Sequence, residues 1–211
     1  MKERHIEVRL SFPYYTLNKL TPSTNRIWII FHGYGMLSRF FIRKFSDLDP
    51  EENYIIAPQG LSKFYQDGFS GRVGATWMTK EDRLTEIENQ RRYLVEIVTE
   101  ELEGVSEREI ICLGFSQGAA TASRFLAHSK LPFNKLVLWA GTFPPEITPE
   151  MTTHWSDSSE IIYVTGLYDP FLQPGMIDHQ HKIVKDATGK DLRRIEFEGK
   201  HELRSEVLHK L

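Results

Sequence analysis

One cysteine in 211 residues, Cys112, leaves no partner for an internal disulfide and no cysteine-based zinc site. Long apolar runs are missing too. No stretch approaches the roughly 20 apolar residues of a membrane span. The first ten residues, MKERHIEVRL, alternate polar and apolar with no continuous apolar region. No signal peptide is therefore expected, and a cytoplasmic location with a reduced thiol is. Charge of one sign is not in excess: 26 Lys and Arg against 29 Asp and Glu give a net charge of −3. Without a basic cluster, nucleic acid is not an expected partner. There is no internal repeat and no long linker. What is present is an ordinary globular composition, 40% hydrophobic and 26% charged, over a length that can bury a sizeable core. A single domain over residues 1–211 is the expectation.

Six short apolar runs punctuate the chain. Residues 26–32 (RIWIIFH), 53–57 (NYIIA), 109–115 (EIICLGF), 135–140 (KLVLWA) and 161–165 (IIYVT) are continuous, as strands buried on both faces are. Residues 192–197 (LRRIEF) alternate, which suits a strand nearer an edge. Helical patterns fall between the runs, at 81–103, 117–128 and 176–187, with shorter ones at 36–45 and 202–211. Residues 5–10 alternate and are expected as an antiparallel edge strand. Strands alternating with helices predict an α/β fold: a mainly parallel central sheet with helices on both faces. In such sheets the site lies at the carboxyl ends of the strands.

The third run leads into Gly114-Phe115-Ser116-Gln117-Gly118 and then a helix. This is G-x-S-x-G in strand–turn–helix context, the nucleophile elbow. The tight turn lifts the serine hydroxyl above the sheet edge, and small flanking residues let strand and helix approach closely. A serine nucleophile needs a histidine base oriented by a carboxylate, here in the chain order Ser, Asp or Glu, His. Of the histidines after Ser116, His128 lies about 18 Å up the following helix. His154 precedes a strand, at the wrong end of the sheet. His179 and His181 lie within a helix, and His209 near the end of the last one. His201 alone follows a strand through a short loop. The carboxylate should follow the fifth run, and Asp169 sits there, before Pro170. Asp157, Asp178, Asp186 and Asp191 are in helices or at the opposite edge.

Acyl transfer builds negative charge on a carbonyl oxygen, which preorganised backbone N–H groups stabilise. The amide of Gln117 is one candidate donor. The other is the amide of Tyr34, in the glycine-rich His32-Gly33-Tyr34-Gly35 that ends the first run. His32 reads as structural. Gly33-Tyr34-Gly35-Met36-Leu37-Ser38 approaches a dinucleotide fingerprint, but Ser38 replaces the third glycine and no acidic residue closes the second strand. His201-Glu202 opens like a zinc-protease motif, but Ser205 stands where the second ligand would be. Neither a nucleotide nor a metal is expected.

HGYG at 32–35, APQG at 57–60, GFSQG at 114–118, TGLYDP at 165–170 and EGKH at 198–201 resemble, in order, the phospholipase/carboxylesterase group of α/β-hydrolases, which includes acyl-protein thioesterases. The resemblance implies an α/β-hydrolase fold with no separate lid domain. It implies Ser116, Asp169 and His201 as a catalytic triad and the Tyr34 and Gln117 amides as oxyanion hole. The activity implied is hydrolysis of carboxylic esters or thioesters with no cofactor and no metal, on a small-molecule or acyl-chain ester. The other reading is a catalytically silent ligand-binding module of the same fold. Oligomeric state stays open, a homodimer included. Two departures bear on substrate: Met36 stands where family members usually carry aspartate, and Ala75-Thr76-Trp77-Met78 keeps only the tryptophan of a Trp-Phe-Asp segment. Residues 59–77 read as a long loop whose aromatics, Phe69 and Trp77 among them, either hold an acyl chain or pin the loop to the core. Phe143 is expected to wall the pocket. Arg72 reads as solvated.

Overall fold

A computed structural model describes every residue of the chain except Ser106. Its main sheet has seven strands: β1 (Tyr14–Leu17), β2 (Arg26–Phe31), β3 (Asn53–Pro58), β6 (Glu109–Phe115), β7 (Lys135–Trp139), β8 (Glu160–Gly166) and β9 (Leu192–Phe197). They lie in the order β1-β3-β2-β6-β7-β8-β9. β1 is antiparallel to β3, and every other neighbouring pair is parallel. The alternating run, β9, is an edge strand as expected. A separate hairpin joins β4 (Ser62–Asp67) to β5 (Ser70–Thr76).

The continuous apolar runs follow from burial on both faces. Ile27, Ile29 and Phe31 of β2 point to one side with Cys112, Leu136 and Leu138, and α2 (Arg83–Glu101), α3 (Gln117–Ser129) and α5 (Met176–Thr188) cover them. Trp28 and Ile30 point to the other with Ile111, Leu113, Val137 and Trp139. That face is covered by α1 (Ser38–Phe41) with the 3-10 turn Ile42–Phe45 after it, and by α6 (Ser205–Leu208). A short α4 (Pro149–Thr152) lies between β7 and β8. The period of two in each strand thus feeds two cores, one on each side of the sheet.

Two expectations fail. Residues 5–10 form no strand; the antiparallel edge is Tyr14–Leu17. Tyr14 pairs with Pro58, the last residue of β3, so the chain before Tyr14 has run past the end of its partner. Ile6, Val8 and Leu10 are exposed there, and Glu7 meets Arg92 of α2 at 2.8 Å. Residues 59–77 are not a long loop but mostly the β4–β5 hairpin. Gly68-Phe69 is its two-residue turn, and a glycine in the first central position, at φ 66°, is the sequence signal that marks it.

The strands bring β6, α3 and β2 into backbone contact. A Cβ on Gly118 would lie 2.2 Å from the Phe31 carbonyl oxygen, and one on Gly114 2.2 Å from that of Gly118. Gly104, by contrast, has φ 73° and nothing within 4 Å of its missing Cβ. Gly104→Ala should cost only the left-handed penalty of about 1–2 kcal/mol. Gly118→Ala should cost more than about 3 kcal/mol, because backbone must move. Urea unfolding of the two variants checks this order, and equal losses would contradict it.

Candidate active site

Ser116 stands between β6 and α3 at φ 53°, ψ −118°, a conformation that serine adopts only under constraint, at about 1–3 kcal/mol. Its amide donates to Trp139 O at 2.8 Å, and its carbonyl accepts from Ala119 N at 3.0 Å. Gly141, after β7, has room for no side chain: its Cβ would lie 2.3 Å from Ser116 O. The turn is therefore gripped from β2, β7 and α3 at once.

Asp169 follows β8 and His201 follows β9, and the two loops are bonded to each other. Leu167 N donates to Phe197 O at 2.9 Å, and Tyr168 N to Gly199 O at 2.9 Å. Gly166 lies against the Gly199 and Lys200 carbonyls, where a Cβ would approach to 2.5 and 2.4 Å. This parallel pairing carries the two side chains to 2.8 Å, His201 Nδ1 to Asp169 Oδ2. Asp169 is 3% exposed in its side chain, and its Oδ1 accepts from Phe171 N at 2.9 Å. A carboxylate only accepts, so Nδ1 holds the proton and Nε2 is the nitrogen left for the cavity. The His201 ring lies between Phe115 and Phe171, at centroid distances of 5.0 and 4.8 Å. Ser116 and His201 line one cavity but share no hydrogen bond in this structure, among the described residues.

That cavity has a volume of about 430 Å³. Ser116, Gln117, Asp169 and His201 are on its wall, with Arg124, Tyr163 and Phe171. Trp77, Phe69 and Phe143 are not. Phe69 is 99% exposed at the hairpin turn, where chain reversal leaves nothing to pack on it. Phe143 is buried against Trp155 on the core side. Trp77 is buried beneath the HGYG loop, with Nε1 donating to His32 O at 2.8 Å. Of the two candidate amide donors, neither Tyr34 N–H nor Gln117 N–H meets an acceptor among the described residues. Gln117 lines the cavity; Tyr34 does not, and its ring lies on Phe64 at 5.1 Å.

What the sequence reading missed is how the HGYG loop is held. Gly35 N donates to Ala75 O at 2.8 Å and Ala75 N to Met36 O at 3.2 Å, so Met36 pairs with β5 as a strand residue. Gly74 allows this: a Cβ there would lie 2.6 Å from Gly35 O. The Gln117 side chain ties the end of the hairpin to the elbow, accepting from Trp77 N at 3.1 Å and donating to Met78 O at 3.0 Å. Its only sequence signal was the polar residue inside G-x-S-x-G.

His32 completes the brace. Gly60 N donates to its Nε2 at 3.0 Å, and Nδ1 lies 2.8 Å from Gly33 O. An Nε2 that accepts and an Nδ1 that donates define the neutral ring. Burial pushes its pKa down to about 4.

The chain matches the model of the phospholipase/carboxylesterase family over residues 18–211. It belongs to that family. Solved structures agree in fold, which is the α/β-hydrolase fold. The acyl-protein thioesterase 2 of Zea mays is 14% identical with a TM-score of 0.70, covering 95% of this chain and 96% of that one. A carboxylesterase from Mesorhizobium loti is 14% identical with a TM-score of 0.70, over 94% and 93%. Esterase PE8 is 21% identical with a TM-score of 0.69, over 96% of each chain. No curated protein sequence matches the chain. No helix among the described residues of this family member is long and apolar enough to cross a membrane.

The buried His32 has a stability consequence. Its folded pKa is depressed below the unfolded value, so its contribution is complete above about pH 6.5 and is lost as pH falls toward 4. Unfolding free energy should fall by about 3 kcal/mol across that window from this group alone. Nitrogen NMR of the histidine rings checks the cause: His32 should stay neutral, protonated on Nδ1, at pH 5. A His32 that titrates near 6.5 would refute it.

Proposed function

We propose that residues 1–211 act as one hydrolase domain that cleaves carboxylic esters or thioesters through Ser116, His201 and Asp169. The observation that carries this reading is the His201–Asp169 bond of 2.8 Å, formed by a nearly buried aspartate on the wall of the cavity that also holds the strained Ser116. A carboxylate on Nδ1 orients the imidazole and stabilises its protonated form, which is what a general base beside a serine needs. His201 Nε2 takes the Ser116 proton as Oγ attacks the acyl carbon. The Gln117 amide on the cavity wall, which meets no acceptor among the described residues, receives the oxyanion. The imidazolium then gives its proton to the departing alkoxide or thiolate. Water, deprotonated by the same nitrogen, releases the acid from the acyl-enzyme. Neither a metal nor an organic cofactor enters these steps. The missing Ser116–His201 hydrogen bond is compatible with this, since such bonds often tighten only with substrate present.

Incubation with a fluorophosphonate, followed by mass spectrometry, tests the reading. One label per chain on Ser116 is expected, lost in Ser116→Ala and strongly slowed in His201→Ala. Asp169→Asn should lower kcat on a nitrophenyl ester by roughly 1,000- to 10,000-fold while the protein stays folded. A folded wild-type protein that neither labels nor turns over esters would leave the silent binding module as the function.

A further inference from the structure

Arg124 is a cation that the ester chemistry above does not use. It lies on α3 in the stripe Gln117–Ala120–Arg124, all three of which line the cavity, while Ala119, Ala122, Phe125 and Leu126 face the core. Its side chain is only 12% exposed. Glu146, beyond Pro144-Pro145, holds it: Nε donates to Glu146 Oε1 at 2.9 Å, and Nη2 lies 2.7 Å from the same oxygen. That oxygen also takes Arg83 Nη2 at 2.5 Å. One carboxylate thus serves two guanidinium groups, and the cluster keeps one positive charge. Among the described residues, the Nη1 end of Arg124 meets only Met78 Sδ, at 3.6 Å. A thioether is a weak acceptor for the donors of a guanidinium. Burial lowers the pKa of Arg124, and its bond to Glu146 only partly offsets this.

The unused edge is geometrically suited to an anion. Glu146 occupies the Nε–Nη2 side of the fork, and the Nη1–Nη2 end remains, which is a second bidentate site for a carboxylate. The carboxylate on the cavity wall, Asp169, is committed to His201 and to Phe171 N. Arg124 stands seven residues beyond Gln117, about 10 Å along the helix axis, and its side chain leans back toward the helix N-terminus. Both groups line the one cavity, so a substrate attacked at Ser116 would need a chain of a few carbons, roughly 10 Å at most by the helical rise, to reach the guanidinium. Arg72, which the sequence reads as solvated, is exposed on the hairpin and not on the cavity wall.

We propose that Arg124 makes this pocket selective for esters in which one half ends in a carboxylate, bound end-on by its Nη1–Nη2 edge. The proposal rests on the hydrolase reading of Ser116 for its kinetic form, and on the cavity alone for its binding form.

The test pairs neutral and charged substrates. Nitrophenyl hexanoate and butyrate are compared with the nitrophenyl half-esters of succinate, glutarate and adipate, which place the carboxylate on the acyl half. Phenyl butyrate and 4-carboxyphenyl butyrate place it on the alcohol half. One of the two arms should show kcat/KM about 10- to 100-fold above its matched neutral ester, the worth of a hydrogen bond to a charged group. Arg124→Gln should bring that ratio near 1 and Arg124→Lys should restore part of it. Glu146→Gln, which removes the competing carboxylate, should raise it. A merely structural Arg124–Glu146 pair predicts instead that both glutamine variants lower turnover of charged and neutral esters alike, and that result would overturn the proposal. So would a wild type that prefers neutral esters in both arms. A second readout is independent of turnover: calorimetric titration of Ser116→Ala protein with monomethyl glutarate. Binding should weaken at least about tenfold when Arg124→Gln is added. Binding unaffected by Arg124→Gln sinks the proposal. Turnover of neutral esters with a ratio indifferent to Arg124 defeats this inference and leaves the hydrolase reading intact. Arg124-dependent binding without any turnover or labelling does the reverse.

Discussion

Backbone packed directly on backbone at the turn between β6 and α3 is the constraint on which the rest of the site depends. Gly114 against Gly118, Gly118 against the Phe31 carbonyl and Gly141 against Ser116 O leave no space for side chains. That closeness forces Ser116 into the left-handed region and keeps it there. A strained conformation persists only where its surroundings over-determine it. Here three strands and one helix do so, and the sheet behind them is buried on both faces. The serine is held by the core, not by its own loop.

The remaining parts are positioned by pairing. Asp169 and His201 meet because β8 and β9 are adjacent and parallel, so their carboxyl ends emerge side by side. The bonds from Leu167 and Tyr168 to the β9 end continue the pairing beyond the strands. On the other side, the HGYG loop is strapped to β5 through Gly35, Met36 and Ala75. The Gln117 side chain joins the end of that strap to the elbow, and the neutral His32 ties the HGYG loop to Gly60 after β3. The hairpin therefore acts as a brace for one wall of the site. Met36, where aspartate is usual in the family, contributes backbone to this strap, and its side chain packs near Gly33.

In the role proposed for Arg124, substrate recognition has a different origin from the G-x-S-x-G turn. The G-x-S-x-G turn dictates where the serine stands, but nothing in that turn dictates what faces the cavity two turns further up α3. The position is set by helical spacing from Gln117. The character of the pocket there depends on a glutamate from a distant loop, with one carboxylate between two arginines.

Hydrophobic period and chain order by themselves determined much of this protein. The continuous runs of isoleucine, leucine and valine allow only a sheet covered on both sides, and their order with the intervening helices makes it mainly parallel. The placing of Ser116, Asp169 and His201 after β6, β8 and β9 followed from the rule that parallel strands present their carboxyl ends at one edge. Local sequence could not decide the edges. Residues 5–10 alternate like a strand, yet register with β3 begins at Tyr14 because β3 ends at Pro58. Nor could it sort the aromatics: Trp77, Phe69 and Phe143 are alike in composition, but one lies under the HGYG loop, one in solvent and one against Trp155. The tertiary structure alone decided those places, and it alone brought Arg124 to Glu146 and His32 to Gly60. Such contacts join residues far apart in the chain, and their energy depends on burial and geometry that no local pattern encodes.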